Sequence, residues 1–305
     1  MQYNTKINSD VCITFMESID DDVLAVVMGK QAVLHANCFG SGALDALSFK
    51  EARGKAAEDL EVELGTVSHQ YMEAARGKGD KGAYTFPEAL ARLPRLLYSL
   101  RQGPLLGECH QVSHQSCPCI YEVLAHKSFT LPINALRQSI DDVFCLRSIF
   151  LRTAVEDSIA LMSPVLLSAR GDFCSFRPVI AETLALWSDA IIVNDVYDRI
   201  FVWQGHKVAG IDSTEHEPLL EQIRLLTSQR YPTPTVLHCK EGSSMARFVI
   251  SRLCPSHHDT PEEQLSSFPA LNHLSLEERS ALSQKFTRTD SPSFKTWLRR
   301  VTRKS

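Results

Sequence analysis

From Asp20 onward the apolar residues recur at helical spacing. Asp20-Asp21-Asp22 puts negative charge where the dipole of a helix start favours it, and Val23, Leu24, Val27 and Leu34 mark one face. Phe49, Ala52, Ala56, Leu60, Leu64, Val67 and Tyr71 follow at spacings of three or four, which predicts one long amphipathic helix ended by Gly77 and Gly79. A further helical stretch runs from Pro87 to Arg101, and Pro94 should kink or restart it because proline has no backbone donor. More helix is expected across Ile133 to Leu161. Ahead of all this, Val11, Ile13 and Phe15 alternate with Cys12 and Thr14, the period of a strand, with no neighbouring strand in sequence to pair with.

After Pro164 the period changes to that of strands. Val165–Leu167, Thr183–Trp187, Ala190–Asn194 and Ile200–Trp203 are short apolar runs with polar breaks, and Asp195 to Arg199 has the make-up of a tight hairpin turn. A helix is predicted over Glu217 to Ser228, with Pro218 in its first turn, where proline is tolerated. Pro234–Cys239 is apolar and β-branched, Glu241-Gly242-Ser243-Ser244 is turn chemistry, and Ala246 to Leu253 alternates like a half-buried strand. Two short helices, Ser275 to Phe286 and Ser293 to Arg303, close the chain. The whole is α+β: an all-helical domain, then a compact domain in which a mixed sheet is flanked by helices.

Composition alters this picture little. With 305 residues, 44% hydrophobic and 22% charged, the chain has the make-up of ordinary globular domains and room for two of them. A net charge of −4 gives none of the basic footprint of a nucleic-acid binder, so nucleic acid is not an expected partner. The longest apolar run, Leu161 to Ala169, is interrupted by Ser163, Pro164 and Ser168, and MQYNTKINSD lacks the apolar region of a signal peptide, so a soluble, cytosolic chain with reduced thiols is expected. Its nine cysteines are odd in number and scattered, which does not describe a disulfide framework.

Three constellations carry possible chemistry. His238-Cys239 opens a loop like that of the cysteine phosphatases, which needs an arginine folded back over the same phosphate. Met245 stands at the position where that arginine belongs, and Arg247 lies two residues further on, so the cradle does not close and Cys239 is expected to be a structural thiol. Cys109, His110, His114, Cys117 and Cys119 are zinc-type ligands, but their spacing is not that of a knuckle, and a metal-free loop is expected. Arg247 itself sits where the glycine turn feeds the segment after it. It has three open readings: a member of the cysteine loop, a surface residue beside the core, or a guanidinium donated in trans to another protein's nucleotide site. Lys295, Arg299, Arg300, Arg303 and Lys304 give the last helix a basic face opposite Phe294, Trp297, Leu298 and Val301, suited either to packing on its own domain or to an acidic membrane.

The second half resembles the C-terminal part of the SEC23 family, the inner-layer COPII coat subunit that activates the Sar-type small GTPase. The residues that carry the likeness are Arg230-Tyr231-Pro232-Thr233-Pro234, then Glu241-Gly242-Ser243-Ser244-Met245-Ala246-Arg247-Phe248-Val249-Ile250-Ser251-Arg252, then Cys254-Pro255-Ser256, with Trp203-Gln204-Gly205 similar to the family's aromatic-His-Gly turn. Weaker echoes in the helical half are Val26-Val27-Met28, Leu93-Pro94, Leu100-Arg101, Gly103-Pro104-Leu105-Leu106 and the run from Ser158 to Leu166. Val208-Ala209-Gly210-Ile211 departs from the family pattern, and the zinc ribbon, von Willebrand-type trunk and most of the β-sandwich of the family have no counterpart here.

The resemblance implies four segments: residues 1–19 as a remnant strand of the β-sandwich, 20–162 as the helical domain, 163–258 as a gelsolin-like domain, and 259–305 as C-terminal helices. It implies Arg247 as the arginine finger, with Ser244, Arg247 and Phe248 meeting the partner. The implied partners are a Sar-type small GTPase holding GTP and other COPII coat subunits, with the chain cytoplasmic and peripheral at endoplasmic reticulum exit sites and COPII vesicles. It implies an activator that is not itself an enzyme, and no cofactor in this chain, the family's zinc lying further towards the N-terminus. The rivals are a coat platform that does not activate and, more remotely, the phosphatase.

Overall fold

The computed structural model describes residues 9–38, 46–77, 86–106, 140–171, 173, 175–208, 217–228, 230, 233–284, 286 and 291–303. In chain order its elements are α1 (Ser9–Glu17), α2 (Asp21–Cys38), α3 (Ala46–Gly77), α4 (Leu93–Gln102), α5 (Ile140–Arg152), α6 (Val155–Met162), β1 (Val165–Arg170), β2 (Arg177–Val179), β3 (Ala190–Asp195), β4 (Arg199–Gln204), α7 (Glu217–Ser228), β5 (Thr235–Lys240), α8 (Ala246–Ile250), α9 (Pro261–Ser267), α10 (Leu276–Gln284) and α11 (Phe294–Arg303). The described residues form two compact units. One is helical and lies within Met1–Glu108, Val143–Met162 and Lys295–Ser305, and the other holds the sheet and takes in Ser163–Phe294.

In the helical unit, Ala52, Ala56, Leu60 and Leu64 of α3 are buried at the expected spacing, as are Val26 and Val33 of α2 and Leu93, Leu97 and Leu100 of α4, and α3 packs on both of those helices. Asp20 caps α2, its Oδ1 accepting from the backbone N–H of Asp22 at 2.9 Å and of Val23 at 3.0 Å. Pro94 restarts rather than kinks its helix: a 3₁₀ turn at Glu88–Leu90 ends before α4, which carries the proline in its first turn. Glu61 of α3 is a polar hub. It accepts from Trp297 Nε1 at 2.8 Å and Arg300 Nη2 at 3.0 Å and pairs as an ion with Arg101, whose Nε lies 2.8 Å from its Oε1, while Tyr98 meets the edge of Trp297 with ring centroids 5.2 Å apart. The terminal helix α11 therefore docks through Trp297 and Val301, both buried, and Arg299, Arg300 and Arg303 form its exposed side.

The first correction falls at the N-terminus. The strand expected at Val11–Phe15 is helix α1, and the remnant-sandwich reading of residues 1–19 falls with it. Ile13 and Met16 are the buried residues, three apart, whereas Val11 and Phe15 are exposed, so the helical period describes the burial and the alternating one does not.

The sheet unit has strand order β2-β1-β3-β4-β5, with β4 and β5 parallel and the other pairs antiparallel. This is the mixed, helix-flanked sheet expected of the second half. Side chains alternate strictly between two cores. Leu166, Ala190, Ile192, Phe201, Trp203, Leu237 and Cys239 face one way, towards Val249, Leu271 and Leu282. Ile191, Val193, Ile200 and Val202 face the other, against Leu219 and Ile223 of α7. The hairpin between β3 and β4 turns at Tyr197, which has φ 73, and Asp195 Oδ1 accepts from its N–H at 2.9 Å. Arg230 clamps that carboxylate with two bonds, at 2.7 and 2.8 Å.

Two further expectations are corrected here. Thr183–Trp187 is not a strand: Thr183–Ala185 is a 3₁₀ turn, and only Glu182 makes a single bridge, to Cys254. Ala246–Leu253 is not a strand either but helix α8 followed by turns. Ala246, Val249 and Leu253 are the buried residues, at helical spacing, and Phe248 and Ile250 are only partly buried. Strand β2 and helix α9 went unforeseen, although Thr260 and Glu263 form a full capping box at the start of α9.

Candidate functional site

The site is built at the end of β5. One residue past the strand, Glu241 N–H still donates to Gln204 O at 2.8 Å, extending the parallel pairing. The chain then reverses at Gly242, whose φ of 76 is a left-handed value that costs an L-residue about 1–2 kcal/mol. Ser243 closes the turn, its N–H and its Oγ both bonding Lys240 O, at 3.1 and 2.6 Å. The amide of Ala246 reaches Ser243 O at 3.1 Å, and α8 begins. Ala246 and Val249 pin this short helix to the core, and burying the valine contributes about 1.5–3 kcal/mol.

The turn is fastened to its surroundings by one carboxylate. Glu241 Oε1 accepts from Ser188 Oγ at 2.8 Å and its Oε2 accepts from His206 N–H at 2.7 Å. Ser188 precedes β3 and His206 follows β4, so segments distant in sequence converge on the base of the turn. They approach very closely there: a Cβ on Gly205 would lie 2.2 Å from Ser188 O, so no other residue fits after Trp203-Gln204. This explains the glycine of that turn. It also shows what the Cys254-Pro255-Ser256 motif does. Thr183 N–H donates to Cys254 O at 2.9 Å and Leu184 N–H to Ser256 Oγ at 3.2 Å, which stitches the segment after α8 to the 3₁₀ turn.

On this frame Arg247 is exposed, in the first turn of α8 between the two inward residues, with its guanidinium carbon 5.1 Å from the centre of the Phe248 ring. Ser244 is half-buried in the turn, and Phe248 is half-buried against the core. The structure thus gathers the expected residues on one turn–helix junction. Arg252, further along, lies inward: its Nη1 donates to Phe248 O at 3.0 Å, it covers the Phe201 ring, and burial followed by the charge of Arg199 lowers its pKa to about 10. An exposed guanidinium on a pinned backbone can pair with an anionic group brought to it without reorganisation of the loop.

The cysteine-loop chemistry has no such support. His238 and Cys239 are neighbours on β5 and point to opposite faces, the histidine outward and the thiol inward. The Cys239 Sγ–H donates to Val202 O at 3.6 Å, and burial pushes its pKa up to about 12, the reverse of what a nucleophilic thiolate requires. The zinc-type cluster from Cys109 to Cys119 lies outside the described residues. Among the described residues no group of histidine, cysteine and carboxylate side chains is arranged to hold a metal, and no helix is long and apolar enough to cross a membrane. The partners of Glu241 went unforeseen from sequence, where that residue counts only as turn chemistry.

No family model matches the chain. It is 28% identical over 295 residues to the protein transport protein SEC23 A of Arabidopsis thaliana, covering 95% of this chain and 28% of that protein. Its fold is similar to that in the crystal structure of the human COPII-coat protein Sec24c, with a TM-score of 0.55 and 14% identity, covering 92% of this chain and 33% of the other. The chain therefore spans about a third or less of the length of either relative. Over most of its own length it is similar in sequence to a SEC23 protein and in fold to a Sec24 protein.

Proposed function

We propose that the chain acts as part of a COPII coat in endoplasmic reticulum to Golgi transport and stimulates GTP hydrolysis by a Sar-type small GTPase, supplying Arg247 in trans. The observation that carries this reading is the exposed Arg247 on a turn whose backbone is fixed on both sides. In phosphoryl transfer, negative charge spreads over the transferring oxygens as the bond to the leaving phosphate breaks. A guanidinium held in advance neutralises that charge. The planar fork addresses two oxygens at once, so lysine does not replace it. Ser244 and Phe248 flank the arginine and would meet the GTPase surface. The nucleotide and its magnesium belong to the GTPase, and this chain contributes no cofactor. Other coat subunits and the cytoplasmic surface of the endoplasmic reticulum are the remaining partners under this reading.

The test is single-turnover hydrolysis by the Sar-type GTPase loaded with GTP, with and without this chain. Arg247→Ala and Arg247→Lys should each lose most of the stimulation, an arginine finger being worth roughly 10³ to 10⁵ in rate. Binding of the GTPase with no dependence of its rate on Arg247 would leave a coat platform without activation.

A further inference from the structure

We infer that Glu241 is the positioning residue of this site: its carboxylate, bonded to Ser188 Oγ and His206 N–H, sets the direction in which the turn presents Arg247. The inference rests on the activator reading above. Three facts carry it. Glu241 fastens one end of the segment from Gly242 to Met245 and the buried pair Ala246 and Val249 the other, and Arg247 follows directly on that far end, in the first turn of α8. Within that span Gly242 has open space around its α-carbon and the widest backbone freedom, so the direction of the turn depends on what holds its base. The segments that Glu241 joins are already tied to each other without it, by Gly205 N–H to Ala190 O at 3.0 Å and Lys207 N–H to Ser188 O at 2.9 Å. Removing the carboxylate therefore releases the turn and leaves the sheet and its neighbouring loop paired.

Glutamine is the informative replacement. Its carbonyl oxygen accepts from His206 N–H and its amide donates to Ser188 Oγ, so Glu241→Gln keeps both connections without the charge, and Glu241→Ala keeps neither. Two readouts separate a positioning role from a contact with the partner. At saturating chain, Glu241→Ala should lower the maximal stimulated hydrolysis rate about 10- to 100-fold, the penalty of a small misplacement, with the concentration for half-maximal stimulation unchanged. Glu241→Gln should restore the rate. Independently of any GTPase, hydrogen exchange at the amides of Ser243, Ala246 and Phe248 should speed up about tenfold or more in Glu241→Ala and return in Glu241→Gln. Unchanged exchange in the alanine variant overturns the inference. So does a full hydrolysis rate for Glu241→Ala in an assay where Arg247→Ala is inactive, and so does a glutamine variant as impaired as the alanine one. If the wild-type chain gives no stimulation, the activator reading falls, and the exchange result alone decides whether Glu241 holds the turn.

Discussion

Arg147 in the helical unit and Arg247 in the sheet unit are the same residue type in opposite settings. Arg147 is fully buried on α5, its Nε donating to Leu105 O and its Nη1 to Asn37 Oδ1, each at 2.9 Å. It ties the segment after α4 to the end of α2, work that uses its donors inside the unit. Arg247 is exposed on the short helix α8, its guanidinium carbon 5.1 Å from the ring centre of its neighbour Phe248. The contrast extends to the carboxylates. Glu61 joins two hydrogen-bond donors and the Arg101 ion pair to hold the helical unit together, whereas Glu241 holds a turn. A charged group committed to buried partners supports the fold. One presented at the end of a braced turn can act on something brought to it.

The largest expected effects split along that line. Arg147→Ala removes a buried side chain and leaves Leu105 O inside without its donor, which should cost about 3 kcal/mol or more of stability. Arg247→Ala should leave the melting temperature nearly unchanged, within about 0.5 kcal/mol, while lowering stimulated hydrolysis by the factor given above. Thermal melts of both variants beside the hydrolysis assay check the pair. An Arg247→Ala chain that melts as low as Arg147→Ala would show that both arginines are structural and erase the comparison.

The thiols sharpen it. Cys145 is exposed in the helical unit and Cys239 is buried in the sheet unit. With its pKa near 12, Cys239 presents far less thiolate at pH 8 than an ordinary thiol does. Iodoacetamide should modify native Cys145 at least about 10³-fold faster than Cys239, and the two should become alike after unfolding. Mass spectrometry of timed peptides reads both rates. Comparable labelling of native Cys239 would reopen the cysteine chemistry that its burial argues against.

Long periodic elements were legible in the chain, and short ones were not. The seven apolar positions of α3, and α7 with its bounds at Glu217 and Ser228, follow from period alone. Segments of the length of α1 and α8 fit both periods, because Ile13 or Ala246 satisfies either, and only the packing partner decides between them. At the site, the motif from Glu241 to Arg252 and the need for a turn at Gly242 could be drawn from the residues. The bracing of that turn was not, because Ser188 and His206 lie 53 and 35 residues away and become neighbours only once β3, β4 and β5 have paired.

The smallest effect expected comes from the segment that stitches α8 to the 3₁₀ turn. His257 Nδ1 lies 3.1 Å from Thr183 Oγ1, its ring packs against Phe286, and its pKa is lowered to about 4, first by burial and then by the neighbouring His258. The unfolded chain takes up this proton near the ordinary value of about 6.5. Between 6.5 and 4 the unfolded state thus holds a proton that the folded state refuses, so stability should fall as pH drops through that window and, for this residue, level off below it. The ring is only partly buried, so solvent screening keeps the change modest. Denaturation midpoints for wild type and His257→Asn between pH 7 and 4 measure it by difference, which removes the carboxylates common to both chains. The asparagine variant should show the shallower decline. Parallel curves would mean that His257 is already wet in the folded chain and that the Cys254-Pro255-Ser256 segment is held by its bonds to Thr183 N–H and Leu184 N–H without the ring.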